Sequence, residues 1–527
     1  MITNSSNPLE SSYIVRGDVS PGAIATSLQA LLPTRHHVID RHRFTVLDTF
    51  DGRLRQAGAR LTRAGTNGTS TMAWQPRGGG SQLAVRLKQH VGFVWDLPDA
   101  HLQQVLAPVV GVRRLLSLAE AEEYGSLLDI LNDRGKTVAR LRITSGRARA
   151  PKPRTAWHPL PIVITLTGLR GYEGAYERLV PLIESRPGIE SCPEGLYGVA
   201  LHQVGVTERE DLQARVNLAA TVNAEVGARQ IHLALLGILR ANEPGLRENL
   251  DTEFLHDFRV AVRRTRALLG QIRHVFPPDV VAHFATEFSW LGRVTGAPRD
   301  LDVLVLALRR HYDDVPAADL NALTTFLGQA QQQEHGRLVE ALDTDRYRRL
   351  ISEWEAFLEG SDPTRSDAHN AGHLLVDVVS PRAWRLSRRI ADKCGTIDER
   401  TAPALVHDVR IDTKKLRYLV DMTPAFYDAE DLASVLGALK KLQSALGDFN
   451  DAHVQEKRLI ECGLSFGAAG GTAGALLALG RLAEQSRQRR ERVRGRVMDA
   501  LEQFCARDTQ AACRRAFRDA RAAERER

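Results

Sequence analysis

Two segments of the chain carry the same pattern of histidine, arginine and lysine. Residues 255–268 read LHDFRVAVRRTRAL, and residues 406–419 read VHDVRIDTKKLRYL. His256 and His407 are 151 positions apart (407 − 256), and the cationic positions after them keep this offset. Arginine can contact an anion with two parallel hydrogen bonds, and lysine acts as a point charge. The repeated pattern therefore favours a site for an anion.

The repeated cations share one face of each predicted helix. At about 100° per residue, four of them fall within an arc of about 80° in each segment. Like charges three and four positions apart repel each other and destabilise an isolated helix, so a repeated stripe favours contact with an anion. The alternative is a solvated basic face paired with carboxylates. The candidate binding residues are His256, Arg259, Arg263, Arg264, Arg266, His407, Arg410, Lys414, Lys415, Arg417, Lys440 and Lys441.

The offset also relates residues beyond these two segments. It takes Gly296 to Gly447 and Asp300 to Asp451, so the correspondence runs without a gap over the 45 residues of 256–300. Such self-similarity indicates two copies of one helical unit, which we expect to pack with pseudo-two-fold symmetry. The copies are not equivalent, because four of the nine lysines in the chain (Lys414, Lys415, Lys440 and Lys441) lie in 407–451, the part of the second copy that corresponds to 256–300.

The two His-Asp dipeptides could suggest a metal site. The residues three and seven positions after each histidine are cationic, however, and would repel a metal ion. We therefore interpret His256 and His407 as donors to an anion, with a buried core histidine as the alternative. The five cysteines are widely spaced, with no CxxC pair, which argues against a zinc ribbon or a disulfide framework and favours a reducing, intracellular setting.

Composition indicates a folded protein of more than one domain. The chain has 527 residues, of which 26% are charged and 43% hydrophobic, and its formal net charge is +7. The most membrane-like stretch, 464–480, is too short and too rich in glycine to span a bilayer, and is expected to be a buried helix or a loop. The first ten residues do not resemble a signal peptide, so we expect a cytoplasmic protein without membrane contact.

The N-terminal part is predicted to be a strand meander. Short apolar runs at 69–76, 82–89, 127–131, 137–143 and 162–167 are separated by turn signals. Three basic pairs have the spacing that places both side chains on one face of a strand, and together they could form a concave basic surface. The alternative is a solvated outer face. These candidates are Arg41, Arg43, Arg86, Lys88, Arg140 and Arg142.

The chain after about residue 211 is predicted to be all helical, since apolar residues recur at spacings of three and four. We therefore predict two domains, 1–205 and 206–527, the second with repeat halves at about 213–360 and 371–520. The predicted fold is an N-terminal antiparallel β domain followed by an all-α bundle of two repeated halves. The predicted helices are 213–241, 253–275, 279–294, 300–312, 317–342, 346–358, 371–392, 404–422, 430–446, 451–462 and 474–520.

The helical half resembles the CHAD domain, the conserved-histidine α-helical domain. The resemblance rests on a duplicated His-x-x-Arg-x-x-x-Arg/Lys helix, followed in each copy by Gly296-Ala-Pro-Arg-Asp300 or Gly447-Asp-Phe-Asn-Asp451. It covers roughly 213–520. It implies a helical bundle whose basic groove binds inorganic polyphosphate, and an association with polyphosphate granules in bacteria and with their proteins.

The first 205 residues resemble a CYTH-type, triphosphate-tunnel domain. The resemblance rests on Leu47-Asp48-Thr49-Phe50-Asp51 and the residues after it, and implies a β tunnel lined by the basic pairs. Active members open with a Glu-x-Glu-x-Lys strand that holds a divalent metal, whereas 12–16 and 162–167 contain no acid. Since metal ions carry this chemistry, we expect a degenerate domain with no catalytic residue, metal or cofactor.

The leading hypothesis is thus a non-enzymatic polyphosphate-binding protein. One alternative is a metal-dependent triphosphatase acting in the N-terminal tunnel. Another is nucleic-acid binding through the same stripe. The stripe lacks interleaved aromatic residues for base stacking, Tyr418 being the exception, which ranks nucleic acid lower.

Overall fold

The computed structural model describes residues 9–17, 19–65, 70–76, 83–206, 216–309, 317–360, 368–398 and 401–519. The chain divides into two compact units, Met1–Arg209 and Glu210–Arg527. The first unit contains the strands and the second is helical, so the predicted fold class, an antiparallel β domain followed by an all-α region, is confirmed.

The first unit is built on one antiparallel sheet of nine strands in the order β5-β4-β3-β2-β6-β7-β8-β1-β9. Helices α1 and α4 cover an apolar core on one side of this sheet. The strands are β1 (Glu10–Val15), β2 (Thr34–Asp48), β3 (Ala59–Ala64), β4 (Ser70–Pro76), β5 (Leu83–Leu87), β6 (Leu116–Leu131), β7 (Thr137–Arg149), β8 (His158–Gly168) and β9 (Ile189–Ser191). The helices are α1 (Pro21–Gln29), α2 (Arg53–Gln56), α3 (Ala100–Val110), α4 (Glu173–Glu184) and α5 (Gly195–Gln203).

The sheet is strongly curled. Arg60 on β3 and Glu10 on β1 form an ion pair of 3.0 Å, although their strands stand five places apart in the sheet order. In a flat sheet those strands would be about 24 Å apart, since neighbouring strands are spaced by about 4.8 Å. The pair therefore defines a concave face. Helix α5 packs on the same face, where Ala200 joins Ala121 and Ala148 in one core cluster.

The second unit is a bundle of long helices. In chain order these are α6 (Ala224–Arg247), α7 (Thr252–Gln271), α8 (Pro278–Val294), α9 (Gly296–Arg309), α10 (Ala317–Leu342), α11 (Asp345–Glu359), α12 (Leu375–Cys394), α13 (Pro403–Asp421), α14 (Ala429–Ala468), α15 (Ala473–Cys505) and α16 (Arg507–Arg514). Three predictions need correction. In the segment predicted at 213–241, residues 216–223 precede the helix, which begins at 224 because Asn223 caps it, and 213–215 lie outside the described residues. The segment predicted at 474–520 is not one helix, since α15 ends at Cys505 and α16 begins at Arg507. The segments predicted at 430–446 and 451–462 form one helix, α14, because Gly447 continues the helix instead of ending it.

The internal repeat is visible in the helix boundaries. Helices α6, α7 and α8 begin at 224, 252 and 278, and α12, α13 and α14 begin at 375, 403 and 429, each 151 positions later. The two copies also meet through reciprocal backbone hydrogen bonds. Ala224 N donates to His373 O over 2.8 Å, and Leu375 N donates to Val222 O over 2.9 Å. Because these positions exchange under the same offset, they lie across a local two-fold axis.

The Asp48 carboxylate organises the turn in the segment that resembles the CYTH family. Asp48 is fully buried, and it accepts hydrogen bonds from the backbone N–H groups of Thr49 (2.7 Å) and Leu54 (2.9 Å) and from Arg55 Nε (3.1 Å). Burial raises the pKa of this carboxyl, and the backbone donors oppose that rise. This part of the motif thus has a structural role, because it satisfies backbone donors that burial would otherwise leave without partners.

We predict that Asp48→Ala lowers the free energy of unfolding of the N-terminal unit by about 3 kcal/mol or more, because each buried donor left without a partner costs roughly 1–3 kcal/mol. Urea unfolding of the full-length protein measures this change. The exposed turn residue Asp133 offers a control, and Asp133→Ala should change stability by no more than about 0.5 kcal/mol. Equal losses in the two variants would contradict the role given to Asp48.

Candidate anion-binding site

The cationic stripes lie on α7 and α13. Each helix packs its apolar face into the core, which leaves its basic residues on the outer side. Asp251 caps α7 by accepting hydrogen bonds from the N–H groups of Glu253 and Phe254, and α13 begins at a proline. Phe254 and Phe258 on α7 and Leu416 on α13 are buried. Since an α-helix presents its apolar residues along one side, the basic residues are left on the other.

Tyr418 joins the two stripes. Its hydroxyl accepts a hydrogen bond of 2.8 Å from Arg263 Nε, which links α13 to α7. The guanidinium groups of Arg263 and Arg264 also lie 6.0 Å and 5.5 Å from the Tyr418 ring centroid. Cations at this distance are attracted by the ring quadrupole. The aromatic residue therefore holds first-repeat arginines against the second-repeat helix.

Four cations from the two repeats form one group, which we call the cationic centre (Arg259, Arg263, Arg410 and Lys414). Burial, followed by the nearby charges of Arg410 and Arg263, lowers the pKa of Lys414 to about 8. Burial and the charge of Arg263 also lower the pKa of Arg259 and of Arg410. Because like charges raise the free energy of the protonated forms, the centre is a place where an anion would be stabilised.

Arg259 and Arg410 of the centre also have neighbours on α8, on α14 or in the turn after α8. Arg259 Nη1 donates to Gly292 O (3.0 Å) and to Thr295 Oγ1 (2.8 Å) on the α8 side. Arg410 Nη2 lies 3.8 Å from Asp451 Oδ1, too long for a hydrogen bond. Carboxylates are thus present near the stripe, as the alternative interpretation requires. The pKa values of Arg259 and Arg410 nevertheless remain lowered, although Asp300 and Asp451 act to raise them.

The two histidines flank the centre. His407 is exposed, and its Nδ1 lies 3.0 Å from Asn450 Oδ1. This contact orients the ring, because an amide oxygen can only accept and Nδ1 must then carry the proton. His256 occupies the equivalent position on α7 and is half-buried.

The remaining candidates lie around the centre with other partners. Lys415 lies 3.9 Å from the buried carboxylate of Asp412, which also binds Arg389 and Lys393 of α12 at 2.7 Å each. Arg417 is paired with Asp421 at 2.7 Å. The sequence interpretation missed Arg389 and Lys393, although their spacing of four at the end of the helix predicted at 371–392 could have indicated them.

Three further candidates are exposed on the helices themselves. Arg266 lies on α7, and its guanidinium is close to Gly292 of α8, where an added Cβ would approach it to 3.2 Å. Lys440 and Lys441 lie on α14. Exposed cations of this kind add to the positive electrostatic potential at the surface, although no contact with the described residues holds their side chains in place.

The basic pairs of the first unit do not all share one face. Arg140 and Arg142 lie on the concave face. Side chains alternate along β7, so these two residues share a face with Ala148, which packs against α5. Arg86 is also on that side, since it pairs with Thr71 and β5 turns its apolar residues to the opposite core. Lys88 comes just after β5.

The pair Arg41 and Arg43 does not lie on the concave face, contrary to the prediction. Arg43 binds Glu122 at 2.6 Å, and Glu122 binds Arg147 on the opposite face of β7. A β-bulge between Ile39 and His42 causes this, because one extra residue reverses the alternation of β2. Arg41 lies in this bulge, with its guanidinium 5.2 Å from the Tyr124 ring centroid.

The concave face carries carboxylates that the sequence interpretation overlooked. Arg140 binds Asp129 at 3.0 Å, and Arg142 binds Glu123 at 2.5 Å. Glu123 and Asp129 are six residues apart, an even spacing that places both on one face of a strand, and they could have been recognised from it. Among the described residues, no group of three or more His, Cys, Asp or Glu side chains is arranged to hold a metal ion.

The apolar stretch 464–480 forms the end of α14, a turn, and the start of α15. Over the part of the chain that the structure describes, no helix combines the length and hydropathy needed to cross a bilayer.

Comparison with known proteins identifies the helical unit. Residues 230–460 match the family model of the CHAD domain, so the chain contains a CHAD domain. An uncharacterized protein of Mycobacterium tuberculosis strain H37Rv is 27% identical over 256 residues, which is 47% of each chain. The chain thus spans about half the length of the curated relatives it matches.

Solved structures also show likeness to this chain. The CHAD domain of the plant Ricinus communis has 26% identity and a TM-score of 0.45, covering 55% of this chain and 94% of its own. PptA from Streptomyces chartreusis has 17% identity and a TM-score of 0.41, covering 53% and 98%. HpAC1 from Hippeastrum, described as having a dominant triphosphatase activity, has 10% identity and a TM-score of 0.25, covering 37% and 96%.

We predict that Arg263→Ala raises the pKa of Lys414 from about 8 toward the usual lysine value, because a like charge is removed. Side-chain NMR of the lysine Nζ group as a function of pH measures it. Arg337→Ala, which removes an exposed arginine paired with Glu334 on α10, should leave the pKa of Lys414 unchanged. A Lys414 pKa that does not respond to Arg263→Ala would show that the two stripes do not act as one group.

Proposed function

We propose that the CHAD domain at residues 230–460 binds inorganic polyphosphate without hydrolysing it. The observation that carries the proposal is the cationic centre, where burial, together with the charge of Arg263 of one repeat, lowers the pKa values of Arg410 and Lys414 of the other. A polymer with one negative charge on each internal phosphate matches such a surface along its length. Binding would relieve the repulsion, because each phosphate supplies the charge that the protein does not provide.

The arrangement favours a polymer over a single phosphate. One chain can contact both stripes at once, and the second contact then forms at a high effective concentration. The arginines suit bidentate contacts with phosphate oxygens, and Lys414 adds a point charge. The proposal includes a location in the cytoplasm at polyphosphate granules, with granule proteins as further partners.

Nucleic acid ranks below polyphosphate for this site. A surface that binds single strands combines basic residues with aromatic rings on which bases stack. Tyr418 is the aromatic residue of the stripe, and it is buried beneath Arg263 and Arg264. It is therefore engaged with the arginines, and its ring is not offered to a base.

The concave face of the N-terminal unit offers less support for a triphosphatase. Three of its arginines are matched by internal carboxylates, since Arg140 binds Asp129, Arg142 binds Glu123 and Arg60 binds Glu10. A phosphate entering this face would have to displace those carboxylates. Release of phosphate from tripolyphosphate with magnesium or manganese, lost on Arg142→Ala, would favour the triphosphatase instead.

We predict that changing Arg263, Arg410 and Lys414 together to alanine weakens binding of long-chain polyphosphate by at least about a hundredfold, because hydrogen bonds to charged groups contribute about 1.5–3 kcal/mol each. The dependence of log Kd on log salt should become less steep by about 2, at roughly 0.7 for each lost phosphate contact. Titration of the full-length protein at two salt concentrations measures both changes.

The control variant has Arg337, Arg348 and Lys457 changed to alanine, and so it loses the same charge. These three residues are exposed and paired with carboxylates within one helical turn. The control variant should bind as the unaltered protein does. Equal weakening in the control would show that net charge alone explains binding, and full binding by the first variant would refute the proposed site.

We also predict that polyphosphate affinity falls between pH 7 and pH 9. Lys414 has a pKa of about 8 in the free protein, so its charged form is lost as the pH rises through that value. Bound phosphate stabilises the charged form, so binding takes up protons near pH 8. Lys414→Arg keeps its charge and should flatten this part of the profile, which calorimetry in buffers of different ionisation enthalpy can follow. A wild-type profile with no fall in this range would contradict the assignment.

A further inference from the structure

A second basic stripe lies on α15, at Arg489, Arg492 and Arg496, which we call the α15 stripe. Its spacing of three and four residues places the three side chains within about 60° of arc on one face of the helix. All three residues are exposed. Neighbouring arginines of the same run have local roles instead, since Arg487 is paired with Glu484 one turn away. The stripe thus remains available to a ligand in solution.

The α15 stripe meets the α13 stripe at one turn of α14. Arg489 and Arg496 both contact Asp448, at 3.6 Å and 3.1 Å. Three residues further along α14, Asp451 lies 3.8 Å from Arg410 of the cationic centre. Residues one turn apart on a helix are neighbours on its surface. The two stripes therefore border the same short segment of α14 from its two sides.

The charge balance at this junction remains positive. Asp448 is shared by two arginines, so one positive charge is left over, and Arg492 adds another. The surface above the junction is also open, because a Cβ added at Gly447 would meet no atom within 4 Å. On the α13 side, the exposed His407 is held by Asn450, which belongs to the same turn. A polyanion leaving the cationic centre would meet no bulky side chain at Gly447.

We infer that the α15 stripe extends the polyphosphate site, so that a long chain passes from the cationic centre across α14 at Gly447 and Asp448 onto α15. This inference rests on the proposed function and adds a selection for chain length to it. The path is roughly 40 Å long: about 10 Å along α13, about 20 Å across the spacings from α13 to α14 and from α14 to α15, and about 10 Å along α15. Tripolyphosphate is too short to occupy both ends, whereas a long chain reaches them together.

The test is binding of tripolyphosphate and of long-chain polyphosphate to the full-length protein and to a variant with Arg489, Arg492 and Arg496 changed to alanine. We expect long-chain affinity to fall at least about tenfold, and the slope of log Kd against log salt to become less steep by about 2, since three phosphate contacts are lost. Tripolyphosphate affinity should change by less than about twofold, because the cationic centre is intact. A variant with lysine at the three positions keeps the charge and should recover most of the long-chain affinity.

Each outcome separates the inference from the proposed function. Long-chain binding by the alanine variant that equals the unaltered protein would overturn the inference and leave the cationic centre in place. Equal losses for tripolyphosphate and the long chain would also overturn it, because the stripe would then act through general charge. Failure of the unaltered protein to bind either polymer would overturn the proposed function itself. Thermal unfolding of both variants verifies that they remain folded.

Discussion

The reciprocal backbone hydrogen bonds between 222–224 and 373–375 are the constraint on which the arrangement of the helical unit depends. They pair the residues that immediately precede α6 and α12, and so they set the two repeats against each other across a local two-fold axis. Backbone bonds between short extended segments have little freedom of register, because each residue offers one donor and one acceptor. The helices that follow, α7 and α13, are thereby brought side by side with their basic faces continuous.

This arrangement concentrates charge at a cost that the core must offset. The cationic centre raises the free energy of the folded protein, since Arg259, Arg410 and Lys414 are half-buried and its like charges repel one another. The buried faces of α7 and α13 supply the opposing stabilisation through residues such as Phe258 and Leu416, both fully buried. A stable scaffold that carries an unfavourable charge cluster is typical of a binding site, where stability is exchanged for affinity.

The sequence predicted the helical unit well because its signals are local and repeated. The 151-residue offset located the two stripes, and the boundaries of three helix pairs keep it. Periodicity could not show that Gly447 continues α14, since glycine is common both in turns and within long helices. It also could not reveal the bulge that turns Arg43 away from Arg142, because the reversal depends on one unpaired residue in β2. The carboxylates opposite Arg140 and Arg142 were missed for a related reason, since the residues that face each other across β6 and β7 depend on the register of the two strands.

The two-fold relation between the repeats has a consequence for the polarity of a bound polymer. A linear polyphosphate reads the same from either end, so it can lie across the axis in both senses with equivalent contacts. A nucleic-acid strand has a 5′ and a 3′ end, and it would present its sugars and bases in opposite order to the two halves. A pseudo-symmetric surface therefore accommodates a chain without direction more evenly than one with direction. Duplication of a single helical unit is therefore a simple route to recognising a polymer whose two ends are equivalent.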